Sequence, residues 1–110
     1  MFFVVLRRIG PEWDPGRAME EQSGWGAHAA FMDRLVDDGV VVLGGPLSDG
    51  VRVVLAVEAG SADAVRATLA ADPWSGSHLV VDAVEPWTIR LDGRHRSRDR
   101  APDGGGPEPA

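Results

Sequence analysis

Two short segments, Phe2-Phe3-Val4-Val5-Leu6 and Val40-Val41-Val42-Leu43, are apolar at every position, and they constrain this chain most. Successive side chains of a strand point to opposite faces, so such segments put apolar groups on both sides of a sheet. An antiparallel sheet with one solvated face alternates apolar and polar residues instead. Both faces therefore need a cover, and a chain of 110 residues holds two helical segments, enough for one face. The simplest second cover is another copy of the chain, packed sheet to sheet through an isologous two-fold contact.

The remaining elements are read from periodicity and punctuation. Phe2 to Ile9 is a strand closed by Gly10-Pro11, and residues 10–24 form a loop carrying Pro11, Pro15, Gly16 and Gly24. Trp25 to Asp38 turns helical, with Ala27, Phe31 and Leu35 four apart, His28 on the Phe31/Leu35 stripe, and Gly39 suited to the left-handed closing position. Val40 to Leu43 is a strand ending at Gly44-Gly45-Pro46. Asp49-Gly50 signals a hairpin turn, and Val51 to Glu58 returns. Ser61 is the expected N-cap of a second helix with Ala62, Val65 and Leu69 inward, and Pro73 stops that helix near Asp72. His78 to Leu91 reads as a long final strand with Trp87 in the core and a bulge or bend at Glu85-Pro86. The order β-α-β-β-α-β predicts an α+β class, ferredoxin-like βαββαβ fold with an antiparallel sheet and both helices on one face. Residues 1–92 are the expected domain, and 93–110, polar and rich in Gly and Pro, the expected disordered tail.

Composition removes whole classes of chemistry. There is no Cys, Lys, Tyr or Asn, so thiol nucleophiles, Schiff-base lysines, P-loop lysines and tyrosine acids are excluded. The net charge of −6 lies within residues 1–91, where seven Arg face 13 acids. An acidic domain argues against nucleic acid or an anionic membrane as partner. No segment approaches the ~20 apolar residues of a membrane span, so a cytoplasmic location is the default.

What remains for chemistry is His, carboxylate, hydroxyl and Arg. His28 lies on the inward stripe of the first helix, where packing is the commonest role of a lone His. Asp72 ends the second helix, where the macrodipole disfavours an anion, so it is paired, solvated in a turn, or used. With both helices on one face, the end of the second is within reach of the first, and a His–Asp pair would fix the imidazole tautomer for acid/base work. Trp25 and Trp74 lie near these residues and are candidates to wall a pocket, against plain packing for each. Trp13, in the loop, carries no signal. Arg7 and Arg8 end the first strand, where they either bind a ligand carboxylate or make surface ion pairs. His78 would make a third metal ligand beside His28 and Asp72, but no HxH or HxxxH spacing supports one, and neither metal nor cofactor is expected. The run Arg94, Arg96, Arg98, Arg100 is balanced by nearby acids and reads as solvated tail.

Taken together, His28, Gly39, Gly44-Gly45-Pro46-Leu47, Asp49, Asp72-Pro73-Trp74 and Glu85-Pro86-Trp87 resemble the YCII-related (YciI-like) domain family across about residues 1–91. The resemblance implies a ferredoxin-like fold assembled as a dimeric α+β barrel, with a His–Asp site falling on His28 and Asp72. Trp74 stands where many members carry an aromatic residue after Asp-Pro. A relative in that family removes chloride from a chlorinated hydroxyhydroquinone, and muconolactone isomerases share the wider barrel superfamily. The expected function is then cofactor-independent acid/base catalysis (elimination, isomerisation or hydrolysis) on a small organic acid or phenol-like molecule. His28 and Asp72 would be catalytic, and Trp74, Trp25, Arg7, Gly45 and Pro46 would bind substrate. The competing readings are a non-catalytic small-molecule-binding module of the same fold and, by analogy alone, cofactor-free oxygenation. The expected partners are a second copy, through the sheet face, and a small molecule.

Overall fold

The computed structural model describes residues 1–94; the expected tail lies outside the described residues from position 95 on, as does most of the Arg run. Four strands, β1 (Phe2–Arg7), β2 (Val41–Pro46), β3 (Arg52–Val57) and β4 (Val80–Pro86), form one sheet in the order β2-β3-β1-β4. Every neighbouring pair is antiparallel. Two helices, α1 (Trp25–Asp37) and α2 (Ala62–Ala70), join β1 to β2 and β3 to β4. This is a small α+β fold with a four-stranded antiparallel sheet and two helices. Among the described residues no helix is long and apolar enough to cross a membrane.

Local sequence explains the helix ends. Ser61 accepts a hydrogen bond from the Ala64 N–H at 3.0 Å, satisfying a donor that the first turn of α2 leaves unpaired. Gly39 takes φ +76° after α1, while its own N–H and that of Val40 bond back to Val36 and Leu35. That pairing is a Schellman closure, which needs a left-handed residue that glycine adopts without Cβ strain.

One face of the sheet carries Phe2, Val4 and Leu6 of β1, Leu55 and Val57 of β3, Val41 of β2 and Val84 of β4, all buried. Leu35 of α1 and Val65 and Leu69 of α2 pack on them in a single cluster, so both helices cover this face. The opposite face presents Phe3, Val5 and Val54, half-buried, and Leu43, 54% exposed. Its centre is apolar, with Arg7, Arg52 and Glu85 on the same side towards the strand ends, and neither α1 nor α2 lies over it.

The final strand differs from expectation. It runs from Val80 to Pro86 rather than from His78 to Leu91, because residues 74–79 are bound into tight turns, with the N–H groups of His78 and Leu79 both reaching the Trp74 carbonyl. The irregularity falls at Asp82, where the pairing with β1 slips between Ala83 and Val81, and not at Glu85-Pro86. An extra residue in one strand shifts the side-chain phase beyond it. Trp87 is thereby carried to the helix-free side, 43% exposed and edge-on to Phe3 at 5.4 Å, instead of into the core. β2 also runs through Gly44 and Gly45 to Pro46 instead of stopping before them.

Candidate active site

Asp72 owes its position to the way α2 ends. After the last turn its N–H bonds the Leu69 carbonyl at 3.0 Å, and its Oδ1 accepts the Trp74 N–H at 2.9 Å, which starts the turn at Pro73. The same carboxylate faces the first turn of α1, where His28 Nδ1 lies 2.9 Å from both Oδ1 and Oδ2. Both residues are buried. A carboxylate only accepts, so Nδ1 must carry the proton and donate it, which fixes the tautomer and leaves the lone pair of the neutral ring on Nε2. Nε2 has no hydrogen-bond partner among the described residues, and since no fully buried polar side-chain atom there lacks one, Nε2 keeps some contact with solvent.

The ring is held flat as well as pointed. Trp74, 2% exposed, stacks on it with centroids 4.0 Å apart and planes within 6°. His78 stacks on Trp74 at 4.7 Å, so the indole lies between two imidazoles, and Trp13 meets it edge-on at 5.7 Å. The Trp74 Nε1–H donates to the Ser23 carbonyl at 2.8 Å, tying the approach to α1 onto this stack. Gly24 fits there with φ +73°, and a Cβ on it would stand 3.3 Å from Nε1.

His78 is engaged elsewhere. Ser77 Oγ donates to the Pro73 carbonyl and so accepts from His78 Nδ1 at 2.8 Å, which leaves His78 Nε2 to accept from Ser23 Oγ at 3.0 Å. Trp74 separates it from His28, and no group of three metal-ligating side chains occurs among the described residues.

His28 opens on a cavity of about 390 Å³ between α1 and the helix-covered face of the sheet. Leu6, Met32, Val53 and Leu55 make its apolar walls, Trp25 and Trp74 its aromatic ones, and Gly44, Gly45 and Pro46 its floor along β2. Its charged and titratable groups are His28, Arg8 and Asp33. A mostly apolar cleft with a few convergent polar groups is the usual form of a small-molecule site.

Of the residues expected from sequence, His28, Trp25, Trp74, Gly45 and Pro46 line this cavity, and Asp72 stands behind His28 without lining it. Arg7 is outside. It follows Leu6 by one residue and so points from the opposite face of β1, exposed, while Arg8 shares the phase of Val4 and Leu6 and reaches the cavity. Met32 and Asp33 line it too without a sequence motif of their own, although Met32 lies one turn after His28 on the same stripe. Gln22 had no sequence signal. It is buried and pins the 10–24 loop by accepting the Asp14 N–H at 2.9 Å and donating to the Asp14 and Arg17 carbonyls. Comparison with protein-family models, with curated proteins and with solved structures found no match.

Proposed function

We propose that the chain is a cofactor-independent acid/base enzyme in which His28 Nε2 takes or gives a proton on a small organic molecule in the cavity, with Asp72 orienting the imidazole. The observation that carries this reading is one buried imidazole whose Nδ1 is held by both oxygens of Asp72 while Nε2 keeps some contact with solvent. Nothing in that arrangement is needed for packing alone, since a core histidine is stable with both nitrogens satisfied. Elimination, isomerisation or hydrolysis of an organic acid or phenol-like compound suits a single positioned base and acid without a covalent nucleophile. The resemblance to the YciI-like family points the same way, and the order β2-β3-β1-β4 supports a ferredoxin-like arrangement. The apolar, helix-free sheet face supports assembly as a two-fold dimer of the dimeric α+β barrel type.

The test is a panel of enolisable keto acids, unsaturated lactones and halogenated hydroxyphenols incubated in deuterated buffer. Deuterium incorporation, isomerisation or chloride release is followed by NMR and ion chromatography. At least one class should react above buffer, and His28→Gln should lower that rate by roughly 10²–10⁴, the usual range for a lost general acid/base. Compounds that bind tightly without any of these reactions would overturn catalysis and leave a binding module.

A further inference from the structure

We propose that the ligand of this cavity is an apolar or aromatic monocarboxylate whose anion is held by Arg8 while its hydrocarbon body lies against Trp25, Met32 and Leu55. This deepens the acid/base reading and rests on it for the role of His28, though the binding mode itself does not require turnover.

Arg17, Arg52 and Arg94 each pair with an aspartate within 4 Å, and of the described arginines without such a pair Arg8 is the one that lines the cavity. Arg8 is half-buried at the cavity wall and has no carboxylate partner among the described residues. Its guanidinium meets instead the Met19 sulfur, 3.4 Å from Nη2, and the Trp13 ring, 4.9 Å from Cζ. A thioether is a weak acceptor and an indole face offers no lone pair, so the planar fork of N–H donors is steadied but not satisfied. A carboxylate matches that fork with two parallel hydrogen bonds and a full opposite charge. The other walls are apolar and aromatic, which selects a hydrocarbon or ring for the remainder of the ligand.

Asp33 sets the charge limit. It lines the same cavity, is exposed, and makes no ion pair among the described residues. A second carboxylate on the ligand would meet its like charge, so a monoanion is preferred over a dianion. His28 then faces the body of the ligand rather than its anion, which is where a proton has to be moved for isomerisation or elimination to follow.

Phenylacetate, its neutral isostere phenylacetamide and the dianion homophthalate are the probes, with binding read by quenching of Trp25 and Trp74 fluorescence and by saturation-transfer NMR. Phenylacetate should bind roughly 10- to 100-fold more tightly than the amide, the span expected for hydrogen bonds to a charged group. Arg8→Gln should abolish that preference without weakening the amide, while Arg7→Gln leaves both unchanged. Homophthalate should bind less well than phenylacetate. Equal affinity for acid and amide, retention of the preference in Arg8→Gln, or no binding of any probe at millimolar concentration would overturn the proposal. A His28→Gln protein that keeps the Arg8-dependent preference supports this anion site even if no substrate is ever turned over. The failure of the catalytic reading is thus separable from the failure of this one.

Discussion

Replacing Asp72 with Asn keeps the shape of the side chain and changes which atoms donate. In the native arrangement Oδ1 accepts from both His28 Nδ1 and the Trp74 N–H, and Oδ2 accepts a share of the same His28 proton. An Asn oxygen in the place of Oδ1 can keep the Trp74 bond and still accept from Nδ1, but the NH₂ in the place of Oδ2 sets a second donor against the Nδ1 proton, and that clash is relieved when the ring proton moves to Nε2 and Nδ1 accepts from the amide. The atom open to the cavity becomes a donor, and the base is lost. Hydrogen bonds to a charged group contribute about 1.5–3 kcal/mol and neutral ones about 0.5–1.5, so the exchange costs roughly 1–2 kcal/mol. Removing an anion from the C-terminal end of α2 returns about 0.3–1 kcal/mol. The net loss is about 1 kcal/mol, or a fall in Tm of about 4–8 °C for a domain of this size, and the fold survives. Asp72→Ala is different in kind, since it strands two buried donors at about 1–3 kcal/mol each. Nitrogen-15 shifts of the His28 ring, thermal melts of both variants and the rate on whatever substrate the panel reveals are the assay. The expected pattern for Asp72→Asn is a tautomer flip, a small Tm change and a rate lowered by roughly 10²–10⁴. An unchanged His28 tautomer together with full activity would refute orientation by Asp72. A collapse of stability with unaltered chemistry would make the pair structural.

Three further outcomes are expected. Light scattering should give twice the chain mass of 11.7 kDa, and Val54→Glu on the helix-free sheet face should yield the monomer; a wild-type mass near 11.7 kDa would remove the dimer. Gly10→Ala should destabilise strongly, because a Cβ there would stand 2.7 Å from the His78 backbone nitrogen and closer still to the Ser77 carbonyl, whereas Gly45→Ala, with nothing within 4 Å, should leave the Tm nearly unchanged. The Asp49 carboxyl is held far below the usual carboxylate range, first by the Arg52 backbone N–H, then by the Arg52 side chain and the Val51 N–H. A carboxyl lowered on folding contributes above its ordinary pKa and loses that contribution only as pH falls through the lowered value. The Val51 and Arg52 amide resonances should therefore stay unchanged well below pH 4, and a transition near the ordinary aspartate pKa of about 3.9 would contradict the contact.

Much of this protein is written in short stretches of its sequence. Ser61, Gly39, Asp49-Gly50 and Asp72-Pro73 act through the backbone of their immediate neighbours, so the helix ends and the hairpin are legible one residue at a time. The alternation along β1 already separates Arg8 from Arg7, because strand phase has a period of two and Val4 and Leu6 mark the inner face. The candidate pair was legible only as two residues with reasons to be elsewhere: a histidine on an apolar stripe and an aspartate against a helix dipole. That they meet, 44 positions apart, depends on where two helices settle on the sheet, and no local preference encodes that distance. The same holds for the slip at Asp82, which reversed the expected placing of Trp87. A one-residue insertion in a ladder is chosen by the packing of both strands together, since either phase of β4 alone is acceptable to its own backbone. Trp13 and Gln22, mute in the sequence, acquire roles because a loop without periodicity takes its shape from what it lands on, here Trp74 and its own carbonyls. Which nitrogen of His28 faces the cavity was likewise decided by tertiary contact, because the two are chemically alike until Asp72 claims one of them.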